Sequence, residues 1–177
     1  SQPTCINDRL MTCLINGNQS QTTFICCYAP TLGDEEMNKE TFYENLRNVM
    51  KNIPEKDGVI IAGDMNARVG RGDENWEEII GKHGLGNRNA NGLRLLEFCA
   101  ENNLRIANTY FQQRNIHKTT WMHPRSKEWH LIDYILVRSR DINNVLRCKA
   151  LRGSHDESDH LLVRACVKIP TKTHTMK

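Results

Sequence analysis

The sequence predicts an α/β fold in which helices lie outside layers of β-sheet. Short apolar, strand-like runs outnumber the segments that have helical periodicity, and this ratio favours helices packed on sheets. One such run, residues 59–62, is bounded by Gly58 and Gly63, as is typical of a buried strand. The chain has 177 residues, of which 38% are hydrophobic and 25% charged, a composition typical of one soluble globular domain. We assign residues 1–170 to this domain and residues 171–177 to a polar tail.

The charge and the cysteines limit the classes of function. The net charge of +3 is mildly basic, which is compatible with a polyanionic partner without identifying one. No apolar run reaches the length of a membrane span, and the N-terminus lacks the pattern of a secretory signal. Seven cysteines, an odd number without a C-x-x-C pair, argue against a structural zinc site. They favour buried, reduced thiols in an intracellular protein.

The first part of the chain predicts a hairpin followed by a helix. Residues 10–15 and 22–28 are predicted strands, and Asn16-Gly17-Asn18 between them is a hairpin turn signal. Residues 34–52 are predicted to form a helix that ends before Pro54. Five apolar residues recur there at helical spacing: Phe42, Leu46, Val49, Met50 and Ile53.

The rest of the chain predicts one more long helix and a series of strands. Residues 68–91 are rich in glycine, asparagine and charge, so we expect a loop with a short helix at residues 76–80. Residues 92–102 are the second predicted helix. The remaining predicted strands are residues 104–107, 118–122, 131–137, 145–151 and 161–169.

Polar residues stand at the end of several predicted strands or inside them. They are Tyr28 before Ala29-Pro30, Asp64 with Asn66, Asp133 within an apolar run, and Ser158-Asp159-His160 before Leu161. Each has an ordinary explanation when it is considered alone, because Asp and Asn favour turns and a tyrosine often ends a strand. Their joint occurrence is the specific signal.

Asp133 is the least easily explained of these residues. It lies between Ile132 and Tyr134, and a buried carboxylate there needs a partner, whereas strand alternation would equally allow it to face solvent. His160 is the natural partner, because a carboxylate fixes the tautomer of an imidazole. Asp64, at the mouth of a buried strand, suits a carboxylate that holds a water in one place.

The order Tyr-x-Pro, Gly-Asp-x-Asn, Ile-Asp-Tyr and Ser-Asp-His resembles the endonuclease/exonuclease/phosphatase superfamily. Several further segments resemble the endonucleases of RTE-type non-LTR retrotransposons, and host proteins of the craniofacial development protein 2-like family are similar. These segments are residues 63–70, Gly81-Lys82-His83-Gly84, Asn91-Gly92, residues 96–99, Asn108-Thr109 and residues 119–135. The resemblance runs from about Thr4 to Ile169, and it implies a layered β-sandwich with outer helices.

The resemblance also implies a reaction, the metal-assisted hydrolysis of a phosphodiester in DNA. By resemblance, Asp64 orients or deprotonates the attacking water, and Asn66 helps to place the phosphate. His160 stabilises the charge of the phosphorane-like species while Asp133 holds its imidazole, and Tyr28 contacts the phosphate or the leaving group. Charge develops on phosphate oxygens in this reaction, so the site needs a hard cation and aimed donors.

Asp159 is the metal ligand that the resemblance implies, with Mg²⁺ or Mn²⁺ as the cofactor. The segment that precedes Asp133 implies contacts with nucleic acid, since basic and aromatic residues on one loop fit phosphate contact and wedging. An ordinary strand threonine and a solvated hairpin are the alternatives there. The nucleic-acid-binding candidates are Thr120, Trp121, Arg125, Lys127 and Trp129.

One departure from the superfamily pattern affects the functional prediction. The superfamily domain normally begins with a strand that ends in Asn, followed by a Gln-Glu motif whose Glu is the principal metal ligand. Nothing before Tyr28 corresponds to that motif, so the domain is expected to be N-terminally truncated, by roughly the first third. We therefore expect the 177-residue chain by itself to be a weak nuclease or none.

The function predicted from the sequence is a magnesium-dependent DNA endonuclease that nicks target DNA for retrotransposition, in the nucleus if it acts on DNA. A phosphomonoesterase of the same superfamily is one alternative. A catalytically dead domain, derived from a retroelement and kept to bind nucleic acid or protein, is another, and the missing Glu favours it. No oligomeric state is predicted.

Overall fold

The computed structural model describes residues 2–17, 21–153 and 158–169. Two α-helices are present in this part of the chain, α1 (Glu36–Lys51) and α2 (Ala90–Glu101). Its strands are β1 (Thr4–Cys5), β2 (Leu10–Asn16), β3 (Gln21–Tyr28), β4 (Gly58–Asp64), β5 (Leu104–Ile106), β6 (Trp121–Met122), β7 (Trp129–His130), β8 (Asp133–Arg138), β9 (Val145–Ala150) and β10 (Val163–Val167).

A six-stranded mixed sheet in the order β1-β2-β3-β4-β8-β5 forms the centre of the molecule. The strands β2 and β3 pair antiparallel, with Asn16 opposite Gln21, as expected for the predicted hairpin. The helix α1 carries the chain from β3 to β4, which therefore run parallel. β8 pairs antiparallel with β4, while β9–β10 and β6–β7 form two separate two-stranded sheets.

Apolar layers cover both faces of the central sheet. On one face, α1 buries Phe42 and Leu46 and α2 buries Leu95 and Phe98 against the sheet residue Ile61. The opposite face is covered by β9 and β10, whose apolar residues form a second cluster with residues of β8. The members of that cluster include Ile135, Val137, Val145, Cys148, Val163 and Ala165. The prediction of an α/β fold with layered sheets and outer helices is confirmed.

The structure corrects several predicted elements. The predicted short helix at residues 76–80 is absent: residues 76–79 form turns and Ile80 is bridged to Ile106. So short a segment gains few hydrogen bonds for the entropy it loses. The predicted strand at residues 118–122 is reduced to Trp121–Met122, and the strand predicted at residues 131–137 begins only at Asp133. Between them Trp129–His130 pairs with Trp121–Met122 as a hairpin. The strand at residues 104–107 ends at Ile106 and continues as a 3-10 turn.

The cysteines follow the predicted pattern only in part. The sequence predicted buried thiols, but of the seven cysteines only Cys27, Cys99 and Cys148 are buried. No helix in the described ranges is long and apolar enough to cross a membrane. The predicted tail at residues 171–177 and part of the predicted turn at residues 16–18 lie outside the described residues.

Candidate active site

Three neighbouring strands of the central sheet end in the polar residues that the sequence singled out. In the strand register, Tyr28 of β3 lies beside Asp64 of β4, and Asp64 lies opposite Asp133 of β8. Residues that are paired across a sheet point to the same face, so the strands themselves bring these three side chains together. They lie at the end of the face that β9 and β10 cover.

His160 completes this group from the segment before β10. Its Nδ1 atom lies 3.0 Å from Oδ2 and 3.2 Å from Oδ1 of Asp133, so the predicted pairing is confirmed. Its Nε2 atom lies 3.8 Å from Oδ2 of Asp64. The side chain of Asp133 is 18% exposed, which contradicts the alternative of a solvent-facing carboxylate. The imidazole therefore stands between two largely buried carboxylates.

The hydroxyl of Thr120 supports the backbone at Asp133. Thr120 is fully buried, and its Oγ1 accepts hydrogen bonds from the amides of Ile132 and Asp133, each at 3.2 Å. The side chain of Asn108 adds a further clamp, with Nδ2 donating to the Asp133 carbonyl at 3.1 Å and Oδ1 accepting from the amide of Ile135 at 2.8 Å. In this conformation the Thr120 hydroxyl is not open to a ligand, so its contact with phosphate stays a prediction.

The turn after Asp64 is held by its own side chains. The Asp64 carboxylate accepts a hydrogen bond from the Asn66 amide at 2.8 Å, and Asn66 Nδ2 donates to the Ala29 carbonyl at 2.8 Å. Asn66 has φ +45, a left-handed conformation that asparagine tolerates. A Cβ atom at Gly63 would lie 1.8 Å from the Cys27 carbonyl oxygen, so only glycine allows β3 and β4 to approach this closely.

The start of α2 supports the same turn through residues that had no predicted role. Asn89 Oδ1 accepts from the amides of Arg68 and Gly92, at 3.0 and 2.8 Å, and Asn91 Nδ2 donates to the Asn66 carbonyl at 2.9 Å. A Cβ atom at Gly92 would lie 1.8 Å from the Arg68 carbonyl oxygen. The signal in the sequence was the run Asn89-Ala90-Asn91-Gly92, in which an asparagine precedes a helix as its N-cap.

Asp159 reaches the site from the exposed side. Its Oδ2 accepts a hydrogen bond of 2.9 Å from the indole Nε1 of Trp121, and its neighbour His160 is bridged to the backbone of Trp121. The hairpin β6–β7 therefore lies directly against the Asp159–His160 segment. Arg125 and Lys127 are exposed near its tip.

Two more candidate residues lie beside cationic side chains. Tyr28 is 52% exposed, the Arg9 guanidinium lies 5.3 Å from its ring centroid, and Arg9 Nη1 donates to the Tyr28 carbonyl at 3.3 Å. Trp129 is half-buried, with the guanidinium of Arg152 4.0 Å from its ring centroid. A cavity of about 520 Å³ beside the hairpin is lined in part by Trp129, Arg152 and Arg68.

Burial and neighbouring charges raise the pKa of Asp64. Desolvation contributes most to the rise of this pKa from 3.8 to about 6, and repulsion from Asp133 and, less strongly, from Asp159 adds to the rise. The hydrogen bond from the Asn66 amide and the attraction of His160 lower the pKa and so oppose the rise. Three carboxylates thus act on one another across the site. A divalent cation would relieve this repulsion, and carboxylate oxygens are ligands that suit Mg²⁺ or Mn²⁺.

The geometry of the donor atoms also fits a cation. One ligand atom from each of Asp64, Asp133 and His160 lies within 4.8 Å of the other two, a spacing that can hold a metal ion. The Nδ1 atom of His160 is already hydrogen-bonded to Asp133, however, and an imidazole nitrogen suits Mg²⁺ less well than oxygen does. Carboxylate oxygens, including those of Asp159 at the rim of the site, are therefore better suited to Mg²⁺ than the imidazole nitrogen is.

The sequence matches a known family over most of its length. The family model described as endonuclease-reverse transcriptase matches residues 22–164, which is more than half of the chain. The chain belongs to this family. It is part of the endonuclease/exonuclease/phosphatase group, as the order of the four polar motifs predicted.

Two curated proteins of mammals are similar to this family member. Craniofacial development protein 2 of Bos taurus is 38% identical over 166 residues, which are 94% of this chain and 28% of that protein. The protein of the same name from Tragulus javanicus is 37% identical over 94% of this chain and 29% of its own length. The chain thus spans less than a third of the length of these relatives.

Solved nuclease structures share the fold. The endonuclease domain of TRAS1, a telomere-specific non-LTR retrotransposon, aligns with a TM-score of 0.66 and 16% identity, over 91% of this chain and 64% of that chain. An AP endonuclease from Archaeoglobus fulgidus aligns with a TM-score of 0.63 and 20% identity, over 92% and 66% of the two chains. The family member therefore has an endonuclease-type α/β fold.

Proposed function

We propose that this chain is a divalent-metal-dependent phosphodiester hydrolase that acts on DNA as an endonuclease. The observation that carries the proposal is the Asp133–His160 pair, whose second imidazole nitrogen faces Asp64 at 3.8 Å. Asp133 orients the imidazole of His160, and Asp64 lies across from it. The imidazole can therefore donate to a phosphate while the Asp64 carboxylate acts as a base on the other side of that phosphate.

Asp64 has the properties of a residue that handles the attacking water. Its pKa of about 6 makes the carboxylate a stronger base than an ordinary aspartate while it remains mostly ionised near neutral pH. Its Oδ1 is fixed by the Asn66 amide, so the carboxylate is held in one orientation. Asp64 can therefore orient a water and accept its proton.

His160 is placed to stabilise charge on the phosphate. Asp133 accepts only, so the proton between the two residues belongs to Nδ1 of His160. In the imidazolium form, Nε2 also carries a proton, which it can donate to a phosphate oxygen that develops negative charge. The second hydrogen of Asn66 Nδ2 and the exposed phenol of Tyr28 are the further donors that we propose for the phosphate.

A bound Mg²⁺ or Mn²⁺ would supply Lewis-acid stabilisation of the phosphate oxygens in this site. Asp159 is the residue that we propose to hold it. The carboxylate of Asp159 is exposed, acts electrostatically on Asp64 and is oriented by Trp121, which together fit a ligand at the rim of the site.

Several features support DNA as the substrate. The exposed cations Arg125 and Lys127 project from the hairpin beside the site, and Arg68 and Arg152 line the neighbouring cavity. Such cations bind the phosphates of a duplex without reading its sequence. The likeness to a retrotransposon endonuclease domain supports nicking of target DNA, and hence action in the nucleus.

Plasmid nicking tests this proposal. Because nothing before Tyr28 corresponds to the Gln-Glu motif, the 177-residue protein is expected to convert supercoiled plasmid to the nicked form only slowly with Mg²⁺ and not at all with EDTA. Asp64→Asn is expected to lower this slow rate by about 100-fold or more. Asp73→Asn is the matched control, because Asp73 pairs with Arg88 outside the site. DNA binding with no metal-dependent nicking would contradict the hydrolase and support a binding domain instead. Faster hydrolysis of a phosphomonoester than of plasmid would support a phosphatase.

A further inference from the structure

Trp121 was predicted to contact nucleic acid, but its hydrogen bond indicates a different use. We propose that Trp121 is a positioning residue that ties the hairpin β6–β7 to Asp159 and His160. The proposal rests on the function proposed above in one respect, namely that Asp159 holds the metal ion.

The first contact is made by the indole N–H. It donates to Oδ2 of Asp159 at 2.9 Å, a charge-assisted bond that is stronger than one between neutral groups. Asp159 is exposed, and an exposed aspartate without such a bond exchanges between side-chain rotamers. The indole thus selects one orientation of the carboxylate, as the partners of metal ligands commonly do.

The second set of contacts ties the backbones together. The amide of Leu161 donates to the Thr120 carbonyl at 2.6 Å, and Trp121 forms an isolated bridge with His160. The short strand β6 therefore holds residues 159–161 in register with the hairpin. Asp159 and His160 are consequently held against β6.

The ring of Trp121 adds a packing contact between the hairpin and the catalytic imidazole. Its centroid lies 6.2 Å from that of His160 on one side, and 5.5 and 6.2 Å from those of His123 and His130 of the hairpin. A phenylalanine would preserve much of this packing but could not donate to Asp159. The function assigned here therefore depends on the indole nitrogen.

A consequence is that DNA binding and metal binding are coupled. The same hairpin presents Arg125 and Lys127 to solvent near its tip and holds Asp159 through Trp121 at its base. DNA that orders the hairpin thereby also orders Asp159 and favours metal binding. By thermodynamic linkage, a bound metal ion favours DNA binding by the same factor.

The hydrogen bond can be observed directly by NMR, because the chain has only three tryptophans: Trp76, Trp121 and Trp129. Their three indole N–H signals are assigned from single Trp→Phe variants. Asp159→Asn, which weakens the acceptor, is expected to shift the Trp121 signal and to leave the Trp76 signal in place. Asp73→Asn is the control, because Asp73 lies outside the site and its substitution should leave the Trp121 signal in place. An unmoved Trp121 signal in Asp159→Asn would overturn the proposal.

Metal titration tests the consequence without any substrate. Trp121→Phe is expected to weaken Mn²⁺ binding by roughly tenfold, as loss of a ligand's supporting partner does, while Trp76→Phe leaves it unchanged. Equal Mn²⁺ affinity in Trp121→Phe and the wild type would contradict the positioning role, and urea unfolding of both variants checks that each is folded.

DNA binding in EDTA separates positioning from direct contact. If Trp121 only positions Asp159, Trp121→Phe binds duplex DNA as the wild type does when no metal is present. A loss as large as that in Arg125→Ala would show a direct contact and overturn the proposal. These three readouts do not involve hydrolysis, so failure of the nuclease proposal in the plasmid assay would leave them interpretable.

Discussion

At the scale of single residues, the site combines groups that destabilise one another when no metal is present. Asp64 is ionised in the folded protein at a cost, because it is partly desolvated and lies near Asp133 and Asp159. Such a cost is common where a side chain is held for function rather than for stability. The unfavourable ionisation of Asp64 should make a measurable contribution to the pH dependence of the unfolding free energy.

The Asp64→Asn variant is therefore expected to be more stable than the wild type at pH 7.5 in EDTA. Asp64 keeps its proton up to about pH 6 in the folded protein, against 3.8 for an ordinary aspartate, so its ionisation lowers stability progressively as pH rises between these values. Thermal unfolding should show a gain in Tm for Asp64→Asn that is largest above pH 6 and disappears near pH 4.

Asp34 provides a control of opposite sign. Hydrogen bonds from Thr31 lower the pKa of Asp34, so its ionised form stabilises the fold above the ordinary aspartate pKa. Asp34→Asn should accordingly lower Tm at pH 7.5. A decrease in Tm for Asp64→Asn at that pH would show that the ionised Asp64 carboxylate does not destabilise the fold.

The Asp133–His160 pair predicts a specific tautomer. Because both oxygens of Asp133 lie near Nδ1, the neutral imidazole of His160 should carry its proton on Nδ1. Long-range ¹H–¹⁵N correlation spectra at alkaline pH report the tautomer directly. In Asp133→Ala the preference for Nδ1–H should disappear, whereas a predominant Nε2–H form in the wild type would contradict the pairing.

The partner of Asp133 followed from the sequence, while the partner of Asp159 did not. An aspartate between Ile132 and Tyr134 needs a counterpart, and that need can be read locally. The bond from Trp121 to Asp159 depends on how β6 lies against a distant segment, which no local pattern specifies. For the same reason the hydroxyl of Thr120 was expected at a phosphate and lies buried under Asp133.

At the scale of elements, the strand register positions the site and the start of α2 holds its turn. The predicted strands were found because apolar runs bounded by glycine or proline mark them, and their pairing brings Tyr28, Asp64 and Asp133 side by side. Residues 118–133 were harder to assign, since the Thr120 side chain accepts hydrogen bonds from the amides of Ile132 and Asp133. A side chain that takes over backbone bonds in this way interrupts a strand without a sequence signature.

The close packing of α2 on the Asp64 turn predicts that Gly92→Ala disrupts the site. A Cβ atom at this position would collide with the Arg68 carbonyl, so the turn or the helix has to shift, at a cost of about 1–3 kcal/mol. Urea denaturation should measure this loss of unfolding free energy, and the backbone amide NMR signals of Asp64 and Asn66 should shift. Gly33→Ala is the control, because no atom lies within 4 Å of a Cβ atom there. Equal stabilities of the two variants would contradict the packing.

The hairpin predicts a salt-dependent contact with DNA. Arg125→Ala combined with Lys127→Ala should weaken duplex binding and reduce the slope of log affinity against log salt by about 2, since each cation displaces roughly one counterion. Lys51 and Lys56 precede β4, at the end of the strand opposite Asp64, and their double alanine variant is the control. An unchanged slope in the hairpin variant would remove the hairpin from the DNA interface.

At the scale of the whole molecule, the site lies where the sheet β9–β10 meets the central sheet, and no single element contains it. The end of β4 supplies Asp64, β8 supplies Asp133, and the segment before β10 supplies His160, so the layered packing of β9–β10 on the central sheet brings the three together. The order of the four motifs along the chain implied, by resemblance to the superfamily, that these residues act in one reaction. Their distances could be known only from the packing.

The central claim is that Asp64 and the Asp133–His160 pair act on one phosphate, and a double-mutant cycle on plasmid nicking tests it most directly. Nicking rates with Mg²⁺ are measured for the wild type, Asp64→Asn, His160→Ala and the double variant. Each single change should lower the rate by about 100-fold or more, and the double variant should be little slower than the slower single variant, because groups that act as a unit are not additive. Losses that multiply in the double variant would contradict the claim and place the two residues in independent roles.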